Sequence, residues 1–373
     1  MFRRPFALAA ALSALALVAS ACGGAKDSGT PAAGGLTSVN YVTTATVPGS
    51  TQIALYAVPK QMGFFKEEGL EANLKTANGS SAALQVIASG DALATNAEVA
   101  STMAAVEQGV QVRTIGSINT SFPWKIGIPA GSNIKSPADL KGKKIGVISL
   151  ASGSNLFTRS FLNENGINPD KDVKILPVGQ GTQAKAALDS GQVDAIALYA
   201  ELFSQLEQAG SKFTYLDNPS LFDGMPSISF TVSARTLSGK DRELAVKYAR
   251  AAYKGLMFAR LNPEAAVEMG LKTFPELAGT GGDTPKRRAE LLTLLKAWMT
   301  TSTPQTDDTS AWPAWGQLSD DQLKKAAQWA VSTGQVKKEP NVADVFDGSL
   351  IKEINDFDHD AVIKAAKDYK TAG

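Results

Sequence analysis

Short apolar runs rich in β-branched residues alternate along the chain with longer stretches in which apolar residues recur every three or four positions. The first kind of run predicts buried strands, and the second predicts amphipathic helices. The alternation begins at Val39, breaks near Ser121, resumes at Ile126 and ends near Leu216. Strands and helices that alternate in this way favour an α/β fold, with mostly parallel strands joined by right-handed crossovers.

The break in the alternation predicts two lobes, and 373 residues exceed the length over which one core usually keeps growing. We expect lobe 1 to contain residues 39–122 and 225–373, and lobe 2 to contain residues 123–224. A strand-like run at 227–233 would return the chain to lobe 1. Helical spacing from Asp241 onwards predicts a helical C-terminal tail that packs on lobe 1. The chain would then cross twice between the lobes, and two crossings form a hinge.

The N-terminus has the layout of a bacterial secretory signal. Arg3 and Arg4 precede an apolar run that is short for a membrane span, and small residues follow it. The sequence VASAC, which ends at Cys22, resembles a lipobox, in which the cysteine is lipidated and becomes the mature N-terminus. We therefore expect residues 1–21 to be a signal peptide and residues 22–38 to be a lipidated, flexible tether. The mature protein would be anchored by lipid on the outer side of the cell membrane.

Composition and charge exclude several functional classes. Hydrophobic residues make up 44% of the chain and charged residues 20%, which is typical of a globular protein. Without Arg3 and Arg4 the chain has 35 Lys and Arg against 36 Asp and Glu, so no basic excess is left to bind nucleic acid. Cys22 is the only cysteine and His359 the only histidine. Catalytic pairs built on these residues and multi-cysteine metal sites are therefore missing, and we predict no catalytic residue, metal or cofactor.

One strand-to-helix loop combines small hydroxyl-bearing residues with the start of a helix. Lys144–Ile148 reads as a strand, and Ser152, Gly153, Ser154 and Asn155 follow where a helix begins. Backbone N–H groups at a helix N-terminus favour a negatively charged or polar ligand. The same residue types are also common helix caps, so the loop is predicted either to bind ligand or to cap the helix.

Four motifs, spread in order over residues 39–210, identify a family. The chain resembles the substrate-binding proteins of ABC importers, in the group related to nitrate, sulfonate and taurine binding and to pyrimidine-precursor binding. The resemblance implies a two-lobed periplasmic-binding-protein-like fold of type II, with ligand between the lobes at the carboxyl ends of strands. It also implies a monomer that meets permease subunits in the membrane. The motifs are KQMGFFKEEGL at 60–70, ASGD at 88–91, DLKGKKIGV at 139–147 and ALDSGQVDA at 187–195.

The strand-to-helix loops supply the candidate ligand contacts. They contain no arginine, so a ligand sulfonate or carboxylate would be met by hydroxyl groups and helix N-termini. Trp124 and Tyr199 would form aromatic walls, and Glu98 and Glu201 would accept hydrogen bonds from an amine or a ring nitrogen. The candidate residues are Ala45, Ser50, Gly79, Ser80, Asn96, Glu98, Trp124, Ser152, Gly153, Ser154, Asn155, Thr182, Tyr199 and Glu201.

These features together predict an extracytoplasmic solute-binding lipoprotein of an ABC importer and not an enzyme. Its ligand would be a small anionic or zwitterionic organic molecule, such as a sulfonate, or a small heteroaromatic. Two other functions stay open: an enzyme similar to the pyrimidine-precursor synthases that the family resemblance includes, and a ligand sensor that does not transport.

Overall fold

The computed structural model describes residues 30–31, 35–150 and 152–371. The predicted signal peptide and Cys22 lie outside these residues, as does most of the predicted tether. Within the part that is described, no helix is both long and apolar enough to cross a membrane.

The strands form two sheets. The first contains six strands in the order β1-β2-β4-β11-β5, with β3 also paired to β2, and the second contains five in the order β10-β6-β9-β7-β8. In chain order, the strands are β1 (Thr30–Pro31), β2 (Thr37–Thr43), β3 (Leu70–Thr76), β4 (Ala94–Glu98), β5 (Val112–Ser117), β6 (Trp124–Pro129), β7 (Lys144–Val147), β8 (Lys174–Pro177), β9 (Ala195–Tyr199), β10 (Phe213–Tyr215) and β11 (Ile228–Ser233).

Both sheets are mixed, and most strands in each sheet run in the same direction, as predicted. β2 runs parallel to β3 and β4, and β7 runs parallel to β8 and β9. However, β11 is antiparallel to both of its neighbours, and so is β6. The reason is topological, because β6 and β11 are the strands that the chain enters just after crossing between the sheets. A strand entered from the edge where the others end must run against them.

Helices cover both sheets and form the tail. In chain order they are α1 (Ser50–Gln52), α2 (Val58–Met62), α3 (Phe64–Glu67), α4 (Ser80–Ser89), α5 (Val99–Glu107), α6 (Gly153–Glu164), α7 (Thr182–Asp189), α8 (Ala200–Gln208), α9 (Ala234–Ser238), α10 (Arg242–Leu261), α11 (Pro263–Thr273), α12 (Pro285–Ser302), α13 (Asp320–Ser332), α14 (Ile351–Ile354) and α15 (His359–Asp368).

A π-helical turn at Ile53–Ala57 joins α1 to α2, and its five residues are buried. α1 follows the loop that leaves β2, so it begins close to the carboxyl end of that strand. A π-helical turn contains one residue more than the α-helical turn it replaces, and such turns are frequent at functional sites. Here it sets the rotation of Ser50–Gln52 about the helix axis.

Apolar side chains cover both faces of each sheet. In β9, for example, Ala195 and Ala197 belong to one core cluster, whereas Ile196 and Leu198 belong to another. This split follows from the alternation of side chains along a strand, and it is typical of strands buried on both faces.

The helical tail packs on elements of the first sheet, with which the prediction grouped it, and on elements of the second sheet as well. α10 and α11 lie in the core of the first sheet. α12 contacts α8, and Trp329 of α13 packs edge-on against Phe122 in the core of the second sheet. Phe122 stacks on Phe222 with 4.9 Å between the ring centroids. Phe122 lies in the connection from β5 to β6, and Phe222 lies in the connection from β10 to β11. The tail therefore supports both crossings.

Candidate ligand-binding site

A cavity of about 330 Å³ lies between the two sheets, where strands of both end. The first sheet contributes the loop after β2, the end of β4 and the start of β11, and the second contributes the start of β6 and the β9–α8 junction. The lining residues are Thr44, Ala45, Val47, Gly49, Ser50, Thr51, Gln52, Asn96, Glu98, Asn119, Pro123, Trp124, Tyr199, Glu201, Ser227, Ile228 and Trp298. Its size lies within the range of small-molecule sites.

Amide side chains hold the loop after β2 in place. The Gln52 side chain donates to Thr43 Oγ1 at 2.5 Å and accepts from Gly49 N–H at 2.9 Å. Asn96 is buried, and its amide group bonds to both the backbone N–H and the hydroxyl group of Thr44, each at 3.3 Å. The loop therefore lines the cavity with its backbone and short side chains fixed.

Glu98 brings a carboxyl group from the first sheet. It is the last residue of β4, and its backbone N–H donates to Ser80 Oγ at 3.1 Å. Among the described residues its carboxyl group has no hydrogen-bond or ionic partner. Burial raises its pKa, because the charged form loses solvation that no protein group replaces.

Trp124 and Tyr199 form an aromatic corner on the second sheet. They stand opposite each other in the β6–β9 ladder, and their rings meet edge to face. The ring centroids are 5.4 Å apart, and the angle between the ring planes is 88°. The indole also stacks near Phe157, and the backbone carbonyl of Trp124 accepts a hydrogen bond from the Asn218 side chain. Contacts from three elements thus fix the orientation of an aromatic wall.

Glu201 brings a second carboxyl group, from the first turn of α8. Burial raises its pKa to about 7, and a hydrogen bond from its own backbone N–H only partly opposes that shift. The neighbouring Tyr199 has a pKa raised to about 12, first by burial and then by the charge of Glu201. The cavity thus has one unpaired acid from each sheet.

No Lys or Arg lines the cavity within the described part of the chain. Lys125, the cation nearest in sequence to the aromatic corner, places its Nζ 5.0 Å from the centroid of the Tyr215 ring and is exposed. The cavity therefore combines hydrogen-bond acceptors and aromatic walls with two acids that no Lys or Arg of the described residues neutralises. It suits N–H donors and cations better than anions.

The predicted site residues divide into two groups. The cavity brings together seven of them, namely Ala45, Ser50, Asn96, Glu98, Trp124, Tyr199 and Glu201. Ala45 offers only a methyl group, and the neighbouring Thr44 supplies a hydroxyl group to the lining. Gly79 and Ser80 lie behind the wall, where the Gly79 N–H donates to Thr44 O at 2.9 Å. Thr182 is exposed at the start of α7 and does not line the cavity.

Ser152, Gly153, Ser154 and Asn155 also stand outside the cavity lining, and the polar side chains among them form hydrogen bonds within the loop. Ser152 Oγ donates to Ser149 O at 2.6 Å, and Ser154 Oγ accepts from Ile148 N–H at 2.8 Å. The two hydroxyl groups lie 2.7 Å apart, and Asn155 donates to Leu150 O. The Ser152 side chain makes no capping bond to α6. Neither of the two roles expected from the sequence describes these hydrogen bonds.

Two of the lining residues that are not among the predicted site residues help to join the tail to the cavity. Trp298 comes from α12 in the tail, and Asn119 comes from the first connection between the sheets. Asn119 is buried, donates to Thr301 Oγ1 and Ser302 Oγ, and accepts from Ile228 N–H. It therefore ties the C-terminal end of α12 to both crossings. Nothing in the local sequence around Trp298 distinguishes it from an ordinary core tryptophan.

Comparison with known proteins places this geometry in a family. The model of the family described as NMT1/THI5 like matches residues 50–266, which is more than half of the chain. The chain belongs to the NMT1/THI5-like family. The resemblance drawn from the four motifs is thus confirmed. The riboflavin-binding protein RibY of Chloroflexus aurantiacus is 28% identical over 258 residues, which cover 68% of this chain and 71% of that protein.

Solved structures share the fold of this NMT1/THI5-like chain. The periplasmic aliphatic sulphonate binding protein SsuA from Escherichia coli matches with a TM-score of 0.62 at 14% identity, covering 84% of this chain and 92% of that chain. The desulfurization enzyme DSZB matches with a TM-score of 0.54 at 16% identity, covering 85% and 98%. The predicted periplasmic-binding-protein-like fold is confirmed. Because a binding protein and an enzyme both have it, the fold alone does not decide the function.

Proposed function

We propose that this protein is the extracytoplasmic solute-binding receptor of an ABC importer, and that its ligand is a nitrogen heteroaromatic with N–H donors. The observation that carries the proposal is the cavity between the two sheets, with an unpaired carboxyl group on each side and no Lys or Arg among its described lining residues. A ligand that contacts both sides favours the closed arrangement, and permease subunits in the membrane would recognise that arrangement. We propose that the receptor acts as a monomer.

The acids of the cavity and the absence of Lys and Arg among its described lining residues favour one of the two ligand classes that the sequence left open. A sulfonate, taurine or nitrate group would have to lie near Glu98 and Glu201 without a neutralising Lys or Arg. Like charges in a partly desolvated site repel strongly. A neutral or cationic ring would instead donate N–H groups to the acids and lie against Trp124 and Tyr199. The name of RibY, which states that it binds riboflavin, supports this class because the flavin ring is a planar heteroaromatic with an N–H donor.

The enzyme alternative finds no support in the placement of the reactive side chains. His359 begins α15, where its ring lies 4.3 Å from that of Phe357, and it does not line the cavity. Cys22 is reserved for the anchor in this proposal. A sensor role stays open as the second function, since the same closure would report ligand to a membrane partner.

A thermal-shift screen of the full chain carrying Cys22→Ser tests the ligand class. Riboflavin and aminopyrimidines are the heteroaromatic probes, and taurine, an alkanesulfonate and nitrate are the anionic probes. At a concentration about 100 times Kd, a ligand that binds only the folded state stabilises it by about 2.7 kcal/mol, which raises Tm by several degrees. We expect this rise with a heteroaromatic only. Stabilisation by the anions alone would refute the ligand class, and turnover of a stabilising compound would refute the receptor function.

The proposed lipid anchor has its own test. Expressed in a bacterium, the unmodified protein should partition into the detergent-rich phase of Triton X-114. Cys22→Ser should move it to the aqueous phase, because the acyl chains that anchor the protein are lost. Ser28→Ala, a change of similar size in the tether, is the matched control and should leave partitioning unchanged. If Cys22→Ser still partitions into detergent, the anchor proposal is wrong.

A further inference from the structure

Gly153 lies directly behind the indole of Trp124. A Cβ atom at position 153 would be 3.0 Å from Trp124 Cζ2 and 3.6 Å from Cε2. At 3.0 Å one of the two groups has to shift, and the contact is to a rigid ring. Gly153 is not at a positive φ, so its backbone conformation does not by itself require glycine. What disfavours a larger residue here is the room that the indole occupies.

The other sides of the indole limit where it could go. Phe157, one turn further along α6, stacks near the indole with 6.5 Å between ring centroids, and Tyr199 meets it edge-on. Gly153 and Phe157 both belong to α6 and do not line the cavity, whereas Trp124 and Tyr199 do. A side chain at position 153 would therefore displace the indole towards the cavity, the side with free space.

The hydrogen bonds of Ser149, Ser152 and Ser154, which we call the serine loop, explain why Gly153 cannot simply move back. Ser152 and Ser154 flank it, and their hydroxyl groups are bonded to Ser149 and Ile148. Ser154 is completely buried, and its backbone carbonyl accepts from the Thr158 hydroxyl group at 2.7 Å. These bonds fix the first turn of α6 on both sides of the glycine. The backbone at position 153 is consequently a rigid surface behind the aromatic wall.

From this geometry we infer that Gly153 is a positioning residue that sets the depth of the ligand cavity by fixing Trp124, and that the serine loop is its support. The inference rests on the proposed function, because the ring whose depth matters is that of a planar ligand. A three-ring probe needs more of this depth than a one-ring probe. Gly153→Ala should therefore weaken binding of riboflavin more than binding of cytosine.

The first test does not depend on any ligand. Full-length Cys22→Ser protein is labelled with 5-fluorotryptophan, and the ¹⁹F resonance of Trp124 is assigned by its loss in Trp124→Phe. Gly153→Ala should shift the Trp124 resonance and leave that of the distant Trp312 unchanged. The control is Gly281→Ala, at an exposed glycine where a Cβ atom meets nothing within 4 Å. An unmoved Trp124 resonance in a folded Gly153→Ala protein would overturn the inference.

The second test is a double-mutant cycle on ligand affinity. Gly153→Ala should weaken riboflavin binding by about tenfold, which is the order expected from one overpacked contact. In a Trp124→Phe background the smaller ring leaves room for the methyl group, so the same change should have little further effect. Equal losses in both backgrounds would overturn the inference. Binding of neither probe, with a shifted Trp124 resonance, would count against the proposed ligand class and leave the positioning role intact.

Discussion

Glu201→Gln should make the empty protein more stable at pH 8 and leave its stability nearly unchanged at pH 4.5. Burial holds the pKa of Glu201 at about 7 in the folded protein, against 4.5 for an unperturbed glutamate. Between these values the unfolded chain has released a proton that the folded protein keeps, so the stability of the folded state falls as pH rises through this window. Above pH 7 the loss is complete, and it amounts to about 3 kcal/mol at most. Glutamine mimics the protonated acid and should recover most of it.

The measurement is urea unfolding of the wild type and the variant at several pH values in the absence of ligand. The difference in free energy of unfolding should grow from pH 4.5 to pH 7 and then stay constant. Glu164→Gln is the matched control, because Glu164 is an exposed acid outside the cavity and should give no such trend. A variant that is destabilised at pH 8 would show that the Glu201 carboxylate has a stabilising partner, which contradicts our description of the cavity.

Neutralising these acids should weaken ligand binding, although it should stabilise the ligand-free protein. Removing the charge from Glu98 or from Glu201 should each reduce the affinity for a heteroaromatic N–H donor by about tenfold or more. The reason is that hydrogen bonds to charged groups contribute about 1.5–3 kcal/mol. The double variant should lose about a hundredfold, since the two acids come from different sheets and act at separate points of the ligand. Isothermal titration of Glu98→Gln, Glu201→Gln and the pair measures these losses.

The direction in which affinity changes with pH distinguishes the proposed role of Glu201 from a general packing defect, which would not produce such a change. The ionised Glu201 carboxylate accepts an N–H hydrogen bond more strongly than the protonated acid does. Affinity for a ligand that does not itself titrate should therefore rise from pH 5 to about pH 7 and then level off. Glu201→Gln should remove this rise. If both acids can be neutralised without loss of affinity, or if affinity rises as pH falls, the proposed role of the carboxylates is wrong.

Much of the fold was predictable because the signals are local. The β-branched run at Lys144–Ile148 and the helical spacing that follows it depend only on neighbours in sequence, and both elements are present. Strand direction was less predictable. The antiparallel placement of β6 and β11 depends on which edge of a sheet the chain enters, and no residue in either strand encodes it.

The site was predictable where it follows from strand ends. Glu98 and Glu201 lie next to the carboxyl ends of β4 and β9, so a rule about strand order located them. Trp298 could not be found in this way, because its position depends on how a helix far along the chain packs between the sheets. The Ser152 hydroxyl group shows a third limit. Its residue type fits a ligand contact, a helix cap or a loop hydrogen bond equally well, and only the fold selects the last.

The π-helical turn at Ile53–Ala57 has a consequence for how receptors of this kind diverge. Its extra residue is equivalent to a single-codon insertion inside a buried helix. Deleting that residue would turn Ser50–Gln52 by about 100° about the helix axis relative to α2. The Gln52 amide would then leave Thr43, and a different set of side chains would face the cavity. One small insertion or deletion could thus change ligand preference in a lineage without any substitution among the residues that line the cavity.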